Sequence, residues 1–289
     1  MAGVVRAEPG LGMLRSRLAV WGDPIAHSLS PSLHAAAYGV LGLDWTYERR
    51  RVGEADFVAA LTALDSSWRG LSLTMPLKSV AFRRSSWRDQ RAQLTEAVNT
   101  LLLTGRGPRG YNTDVGGIVA ALRDEGVRDL PSARIVGAGA TATSALVALG
   151  ELGAHEVEVA ARRPEAAARL VGLGERIGVR VIAVPLRADR YESRPLTIAA
   201  LPGDAPVDAG IADALAAAGG ILSDVVYGHW PTALSSAWES AGGRAVSGLG
   251  MLLHQALLQV RVFVGSDAEL PLANEPAVLA AMRAQLVGD

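Results

Sequence analysis

The run Leu71-Ser-Leu-Thr-Met-Pro-Leu-Lys78 carries a lysine where a strand meets a helix. A short β-prone stretch ends at Thr74. Pro76 is expected to open a helix, because its missing N–H costs nothing in the first turn, and Lys78 follows within that turn. Such a mouth holds helix N–H groups without intrahelical partners, so an oxygen-rich ligand is favoured there, with the ammonium aimed at it. Two readings of Lys78 are open: a catalytic or ligand-gripping lysine, and a solvated lysine on an amphipathic helix. Asp114 follows 36 residues later, in Gly110-Tyr-Asn-Thr-Asp-Val-Gly-Gly117, and it too has two readings. It is either the N-terminal cap of the next helix or the carboxylate partner of Lys78. The partner reading gains from Ser28, Ser30, Thr74 and Asn99, polar residues that the same predicted mouth would hold.

The elements that must position these groups alternate between strand and helix. Arg17-Leu-Ala-Val-Trp-Gly22 reads as a buried strand ending at a glycine. In the turn that follows, Ser30 before Pro31 is a helix start, with serine as N-cap and proline at the first helical position. That helix runs to about Gly42. Trp45 to Val52 alternates like a half-exposed strand whose three arginines, Arg49, Arg50 and Arg51, form a solvated edge. Glu54 to Leu64 has the apolar spacing of an amphipathic helix, and the lysine stretch is the third strand with its helix. Ala97 to Thr104 reads as a strand with Asn99 near its start, turned back by Gly105-Arg-Gly-Pro108. The alternation is the mark of βαβ units.

A second site is legible at Ala133-Arg-Ile-Val-Gly-Ala-Gly-Ala-Thr-Ala-Thr-Ser144. Gly137-x-Gly139-x-x-Ala142 lies between a short strand and a helix. This is the dinucleotide-binding pattern: the glycines allow a tight turn and close backbone approach, and the helix N-terminus stabilises a pyrophosphate. About twenty residues further on, a site for NAD offers an acidic residue to the ribose hydroxyls. Ala161-Arg162-Arg163-Pro164 stands there instead. Two guanidiniums without a carboxylate suit a 2′-phosphate, so the expected cofactor is NADP; the alternative is a pair of arginines that solvate a loop. Strands are expected at Val179 to Val184, Leu196 to Leu201 and Gly220 to Val226, with Tyr227 as a core aromatic or a pocket wall. The helical region from Ser247 to Ala256 carries Gln255 as its conspicuous polar group, and a terminal helix is expected between Pro271 and about Leu286.

Composition narrows the function class. The 289 residues exceed the usual single-domain size, so two domains are expected. With 28 basic and 29 acidic side chains the net charge is -1, which recruits no polyanion, so neither nucleic acid nor an anionic membrane is an expected partner. The chain has no cysteine, which removes disulfides, thiolate catalysis and Cys-based metal sites and fits a cytosolic protein. Its five histidines show no pairing at ligand spacing, so no metal is expected. No apolar run reaches membrane-spanning length, and the mixed charges and glycines from Met1 on read as a loose leader.

Taken together, Gly22-Asp-Pro-Ile-Ala-His-Ser-Leu-Ser-Pro-Ser-Leu-His34, Leu73-Thr-Met-Pro-Leu-Lys78, Ala97-Val-Asn-Thr100, Asn112-Thr-Asp114, Gly137-Ala-Gly139 and Gly248-Leu-Gly-Met-Leu-Leu-His-Gln255 resemble the shikimate dehydrogenase family. The resemblance covers nearly the whole chain after the leader, and these motifs in this order are highly specific. With the loose leader taken as 1–16, it implies a three-layer α/β substrate domain from 17–116 and 252–289 and a Rossmann-type NADP domain over 117–251, the last helices packing back on the first domain. It implies a polyol pocket of Ser28, Ser30, Thr74, Asn99, Asp114 and Gln255, with Lys78 and Asp114 as the catalytic pair and Tyr227 near the substrate carboxylate. Cofactor contacts are implied at Gly137, Gly139, Ala140, Arg162, Arg163, Gly248 and Met251. The activity implied is NADP-dependent reduction of 3-dehydroshikimate to shikimate in aromatic amino-acid biosynthesis, by a monomer or homodimer. Quinate/shikimate or aminoshikimate oxidation, and non-catalytic sensing of NADP or a polyol, are the rival readings. Four departures fall on the cofactor side: Ala140 for a further glycine, Ala161-Arg162-Arg163 for Asn-Arg-Thr, Ala199-Ala200-Leu201 for Asn-Ala-Thr, and Ser247 for an aspartate.

Overall fold

Residues 16–203 and 205–286 are described by a computed structural model, and the leader expected over 1–16 lies, save for Ser16, outside the described residues. Two units divide the chain: one runs up to Gly117 and resumes at Leu253, the other spans Ile118–Leu252. In chain order the first unit contains β1 (Ser16–Gly22), α1 (Ser30–Leu41), β2 (Trp45–Arg51), α2 (Phe57–Thr62), β3 (Trp68–Leu73) and α3 (Lys78–Arg84). It continues with β4 (Trp87–Arg88), α4 (Gln90–Thr95), β5 (Thr100–Leu102), β6 (Arg109–Tyr111) and the start of α5 (Thr113–Asp124).

The strands of this unit lie in the order β2-β1-β3-β5-β6-β4. β5 runs antiparallel to both neighbours, as the glycine-rich turn after it requires, and the other pairings are parallel. β1 reads as a continuous apolar run, Leu18-Ala-Val-Trp21, because a strand between two parallel neighbours is covered on both faces. Side-chain alternation then sorts the sheet into two buried layers. Ala19, Trp21, Leu71, Leu73 and Leu101 face a core completed by Phe57, Leu77 and Val80, with Trp21 meeting Phe57 edge-on at 6.2 Å between ring centres. On the opposite face Gly70 lies against Phe263, so closely that a Cβ there would fall 2.4 Å from its ring.

The second unit holds the rest of α5, then β7 (Ser132–Val136), α6 (Ala140–Glu151), β8 (Glu156–Ala161), α7 (Ala168–Ile177) and β9 (Arg180–Pro185). β10 (Leu196–Ala199), α8 (Ala209–Ala217), β11 (Ile221–Asp224), α9 (Ala233–Ser240) and β12 (Arg244–Val246) follow, and α10 (Leu249–Gly265) begins here. Its sheet is parallel throughout, in the order β12-β11-β10-β7-β8-β9. Strand order therefore reverses beside β7, the position where doubly wound sheets open a crevice at their carboxyl ends. Val136, Ala199, Leu215, Leu222 and Leu234 surround the fully buried Trp238, whose indole N–H donates to the Gly220 carbonyl at 3.1 Å. The remainder of α10 and α11 (Glu275–Ala284) belong to the first unit, where α11 packs on α1. No helix among the described residues is long and apolar enough to cross a membrane.

Candidate active site

α3 begins at Lys78 itself. Pro76 does not open it: Pro76 lies in a turn closed by the Leu77 N–H donating to the Thr74 carbonyl at 2.8 Å, and Leu77 holds the cap position. Lys78 thus stands at a strand-to-helix mouth, and its side chain meets a carboxylate from the first turn of α5. Lys78 Nζ lies 2.6 Å from Asp114 Oδ2, with 15 % and 6 % of the two side chains exposed, so the pair is largely but not wholly removed from water.

Asp114 is available for this contact because another residue caps its helix. Asn112 Oδ1 accepts the Val115 N–H at 3.3 Å, and its amide donates to Thr95 Oγ1 and the Ala97 carbonyl. The Asn112 N–H reaches Asp89, whose carboxylate also accepts the Ala92 N–H at the start of α4. Burial pushes the Asp89 carboxyl up to about 6, against those N–H donors. Asn99 lies just before β5 and holds the other Asp114 oxygen: its Nδ2 donates to Asp114 Oδ1 at 2.8 Å, while its Oδ1 accepts the Thr113 N–H at 2.9 Å. One oxygen of Asp114 thus faces an amide and the other an ammonium. A carboxylate has about four lone-pair directions and an ammonium three protons, so each keeps capacity for a ligand hydroxyl or carbonyl.

Close backbone approaches bring up the other polar groups. Thr74 follows β3, and its methyl carbon would sit 2.3 Å from a Cβ on Gly22, so the turn after β1 can pass it only at a glycine. Ser30 is not the cap that its neighbour Pro31 suggests. α1 starts at Ser30, Leu29 occupies the cap position, and the Ser30 N–H donates to Ser28 Oγ at 3.3 Å. The cap function has moved two residues upstream, which leaves the Ser30 hydroxyl unused by the helix. Gln255 comes from α10. A Cβ on Gly117 would fall 2.7 Å from that of Gln255 and 2.9 Å from its backbone nitrogen, so the glycine lets α5 and α10 touch.

In the second unit the turn after β7 has the form a pyrophosphate needs. Gly137 sits at φ +115, where L side chains are strained, and a Cβ there would lie 2.7 Å from the Ala200 carbonyl oxygen. Gly139 ends the turn as the N-cap of α6 without a side-chain cap, and nothing stands within 4 Å of where its Cβ would be. Ala142 is fully buried, as the third position of the pattern requires for helix–strand packing. Arg162 and Arg163 are exposed directly after β8, and Ala140 is exposed at the first position of α6. These residues fit a phosphorylated dinucleotide. Gly248 serves packing, since a Cβ would meet the Val225 carbonyl, and its N–H donates to the Val226 carbonyl at 2.9 Å; Met251, one turn on, is half-buried. Tyr227 lies just beyond β11 in this unit, half-buried, with its hydroxyl pushed upward by burial.

Residues 20–101 match the shikimate dehydrogenase substrate binding domain. Over 284 residues, 36 % are identical to shikimate dehydrogenase (NADP(+)) of Anaeromyxobacter sp. (strain Fw109-5), covering 93 % of this chain and 98 % of that one. The chain belongs to the shikimate dehydrogenase family. The same fold is seen in the crystal structure of Mycobacterium tuberculosis shikimate dehydrogenase, with a TM-score of 0.81 and 42 % identity over 93 % of this chain and 99 % of that one. Shikimate 5-dehydrogenase from Thermus thermophilus, solved in complex with NADP(H) and shikimate, gives a TM-score of 0.75 and 32 % identity over 93 % and 99 %.

The departures from the shikimate dehydrogenase pattern, at Ala140, Ala161 to Arg163, Ala199 to Leu201 and Ser247, all fall in the second unit. Sequence reading missed four residues behind the first unit's site: His34, Tyr47, Ser72 and Gln259. A signal existed for the last, because Gln259 follows Gln255 by four residues and so shares its helix face.

Proposed function

We propose that this protein is an NADP-dependent shikimate dehydrogenase, interconverting 3-dehydroshikimate and shikimate in the cytoplasm on the way to the aromatic amino acids. The first unit takes the substrate and the second the cofactor. The observation that carries the reading is the Lys78–Asp114 contact at 2.6 Å, with Asn99 on the second carboxylate oxygen. NADPH, when bound, supplies the hydride for the C3 carbonyl. Lys78 gives a proton to the alkoxide that develops there, neutralising charge on oxygen as it forms, and takes it back in the oxidation direction. Asp114, which only accepts hydrogen bonds, holds a substrate hydroxyl and orients the lysine. The substrate carboxylate, also an acceptor, is turned away from Asp114, and we assign it to the hydroxyls of Ser28 and Ser30, whose protons the α1 backbone does not use.

In the second unit, Gly137 and Gly139 admit the pyrophosphate to the α6 N-terminus, and Arg162 and Arg163 take the 2′-phosphate. A Gly139→Ala variant is expected to melt as the wild type does, because open space surrounds the added methyl. It is also expected to bind NADP about tenfold more weakly or worse, since this glycine is where the backbone meets the pyrophosphate. Unchanged affinity in a fluorescence titration would remove this turn from the cofactor site.

The activity is tested by following the reduced-nicotinamide absorbance with shikimate, quinate and aminoshikimate, each with NADP and with NAD. Turnover is expected to be highest with shikimate and NADP. Turnover of quinate or aminoshikimate without shikimate would overturn the substrate assignment, and preference for NAD would overturn the role of the two arginines.

A further inference from the structure

Along one face of β2, alternate side chains follow α1 backwards. Trp45 meets Tyr38 edge-on, and Tyr47 stacks flat on His34 with ring centres 4.0 Å apart. Arg49 Nε donates to the Ser28 carbonyl at 2.7 Å, and Arg51 pairs with Asp23 at 2.8 Å. Two arginines of the edge expected to be merely solvated thus pin the loop that carries the serine pair. The Tyr47 hydroxyl lies beside that of Ser30.

Behind Tyr47 runs a chain of hydrogen bonds whose directions are fixed. Gln259 Nε2 faces the Asn99 carbonyl, which only accepts, at 3.4 Å, so the Gln259 oxygen must point the other way. That oxygen accepts from Ser72 Oγ at 2.8 Å and from His34 Nε2 at 3.2 Å. Ser72 has therefore committed its single proton. His34 carries its proton on Nε2 and accepts the Tyr38 hydroxyl on Nδ1 at 3.0 Å. Burial holds the His34 ring neutral, its pKa lowered to about 3.

One group in this network is left over. The Tyr47 hydroxyl is sealed from solvent and closes no hydrogen bond of ordinary length and angle, although the hydroxyls of Ser72 and Ser30 lie close enough to favour its ionised form. A buried hydroxyl without a partner is costly, and phenylalanine would fill the same space without that cost.

We propose that Tyr47 is a positioning residue for Ser30: when a substrate carboxylate draws the Ser30 proton outward, the Tyr47 O–H donates to the Ser30 oxygen from behind. The pair then presents a polarised donor to the anion, and the Tyr47 hydroxyl closes a bond of full strength only in the complex. This rests on the assignment of Ser28 and Ser30 to the substrate carboxylate.

The test compares wild type, Tyr47→Phe, Ser30→Ala and the double variant on whichever acid of the assay above the wild type turns over best. Tyr47→Phe is expected to raise KM for that acid roughly tenfold, the scale of one lost hydrogen bond, while kcat, KM for NADP and melting temperature hold or improve. In the Ser30→Ala background the same change is expected to add nothing to KM. A purely structural tyrosine would alter melting temperature and leave KM alone, and that result would overturn the proposal. An equal rise in KM with and without Ser30 would also overturn it. Wild-type inactivity on shikimate sinks the functional assignment instead, and the Tyr47 comparison still stands or falls on the acid that is turned over.

Discussion

Lys78→Ala is expected to lower kcat by about 10³ in both directions, within the ~10²–10⁴ that a positioned acid or base contributes, with little change in affinity for shikimate. The split follows from how the work is divided among the side chains. Asp114, held by Asn99 Nδ2 at 2.8 Å, and the hydroxyls of Ser28, Ser30 and Thr74 remain to bind the polyol when the lysine is gone. What disappears is the proton that must arrive as negative charge builds on the C3 oxygen, an interaction made chiefly in the transition state, and such losses fall on kcat. Single-turnover absorbance at the reduced-nicotinamide band separates hydride transfer from product release and is the measurement of choice. Lys78→Arg sharpens the test. Arginine keeps the positive charge beside Asp114 but does not deprotonate in proteins, so it should restore folding stability without restoring turnover. Near wild-type turnover in either variant would refute the acid–base role.

Residue types at predicted strand-to-helix turns left Lys78 and Asp114 with two readings each, and it was the family resemblance that made their meeting legible. The local geometry of those turns was less so. Ser30-Pro31 carries the composition of a helix cap, but composition does not say which oxygen accepts which N–H, and here Ser28 Oγ takes the Ser30 N–H. Pro76 was misplaced for a similar reason: its type suits a first helical position, but it lies in the turn that the Leu77 N–H closes on the Thr74 carbonyl, and α3 begins two residues later. Elements of the second unit that went unread were not silent. Thr232 and Ser235 form a reciprocal capping box ahead of α9, a pairing that the sequence spacing alone would have allowed. His34, Ser72 and Gln259 stand among apolar neighbours and Tyr47 in an edge read as solvated, and only three-dimensional packing joins residues as far apart as 34 and 259.

Asp114→Asn should injure fold and chemistry together. The amide can still accept from Asn99, but its NH₂ end meets the Lys78 ammonium, donor against donor, and the largely buried ammonium loses its counter-charge. Breaking such a pair from one side costs about 3 kcal/mol, and for a chain of this size that lowers the melting temperature on the order of 10 °C. Loss of both the hydroxyl acceptor and the lysine's orientation should reduce kcat/KM by at least about 10³. The decisive control removes both charges. A Lys78→Met, Asp114→Leu double variant leaves no unpaired ion, so it should be more stable than either single variant while remaining inactive, because replacing both members of a buried pair by apolar groups is often neutral. Urea midpoints of the wild type, Lys78→Met, Asp114→Leu and the double variant complete the cycle, and a coupling that offsets most of the single losses is the expected outcome. If the two single losses simply added, the lysine and the aspartate would be acting on the fold independently, and a contact of 2.6 Å could not be what holds Lys78 in place for proton transfer.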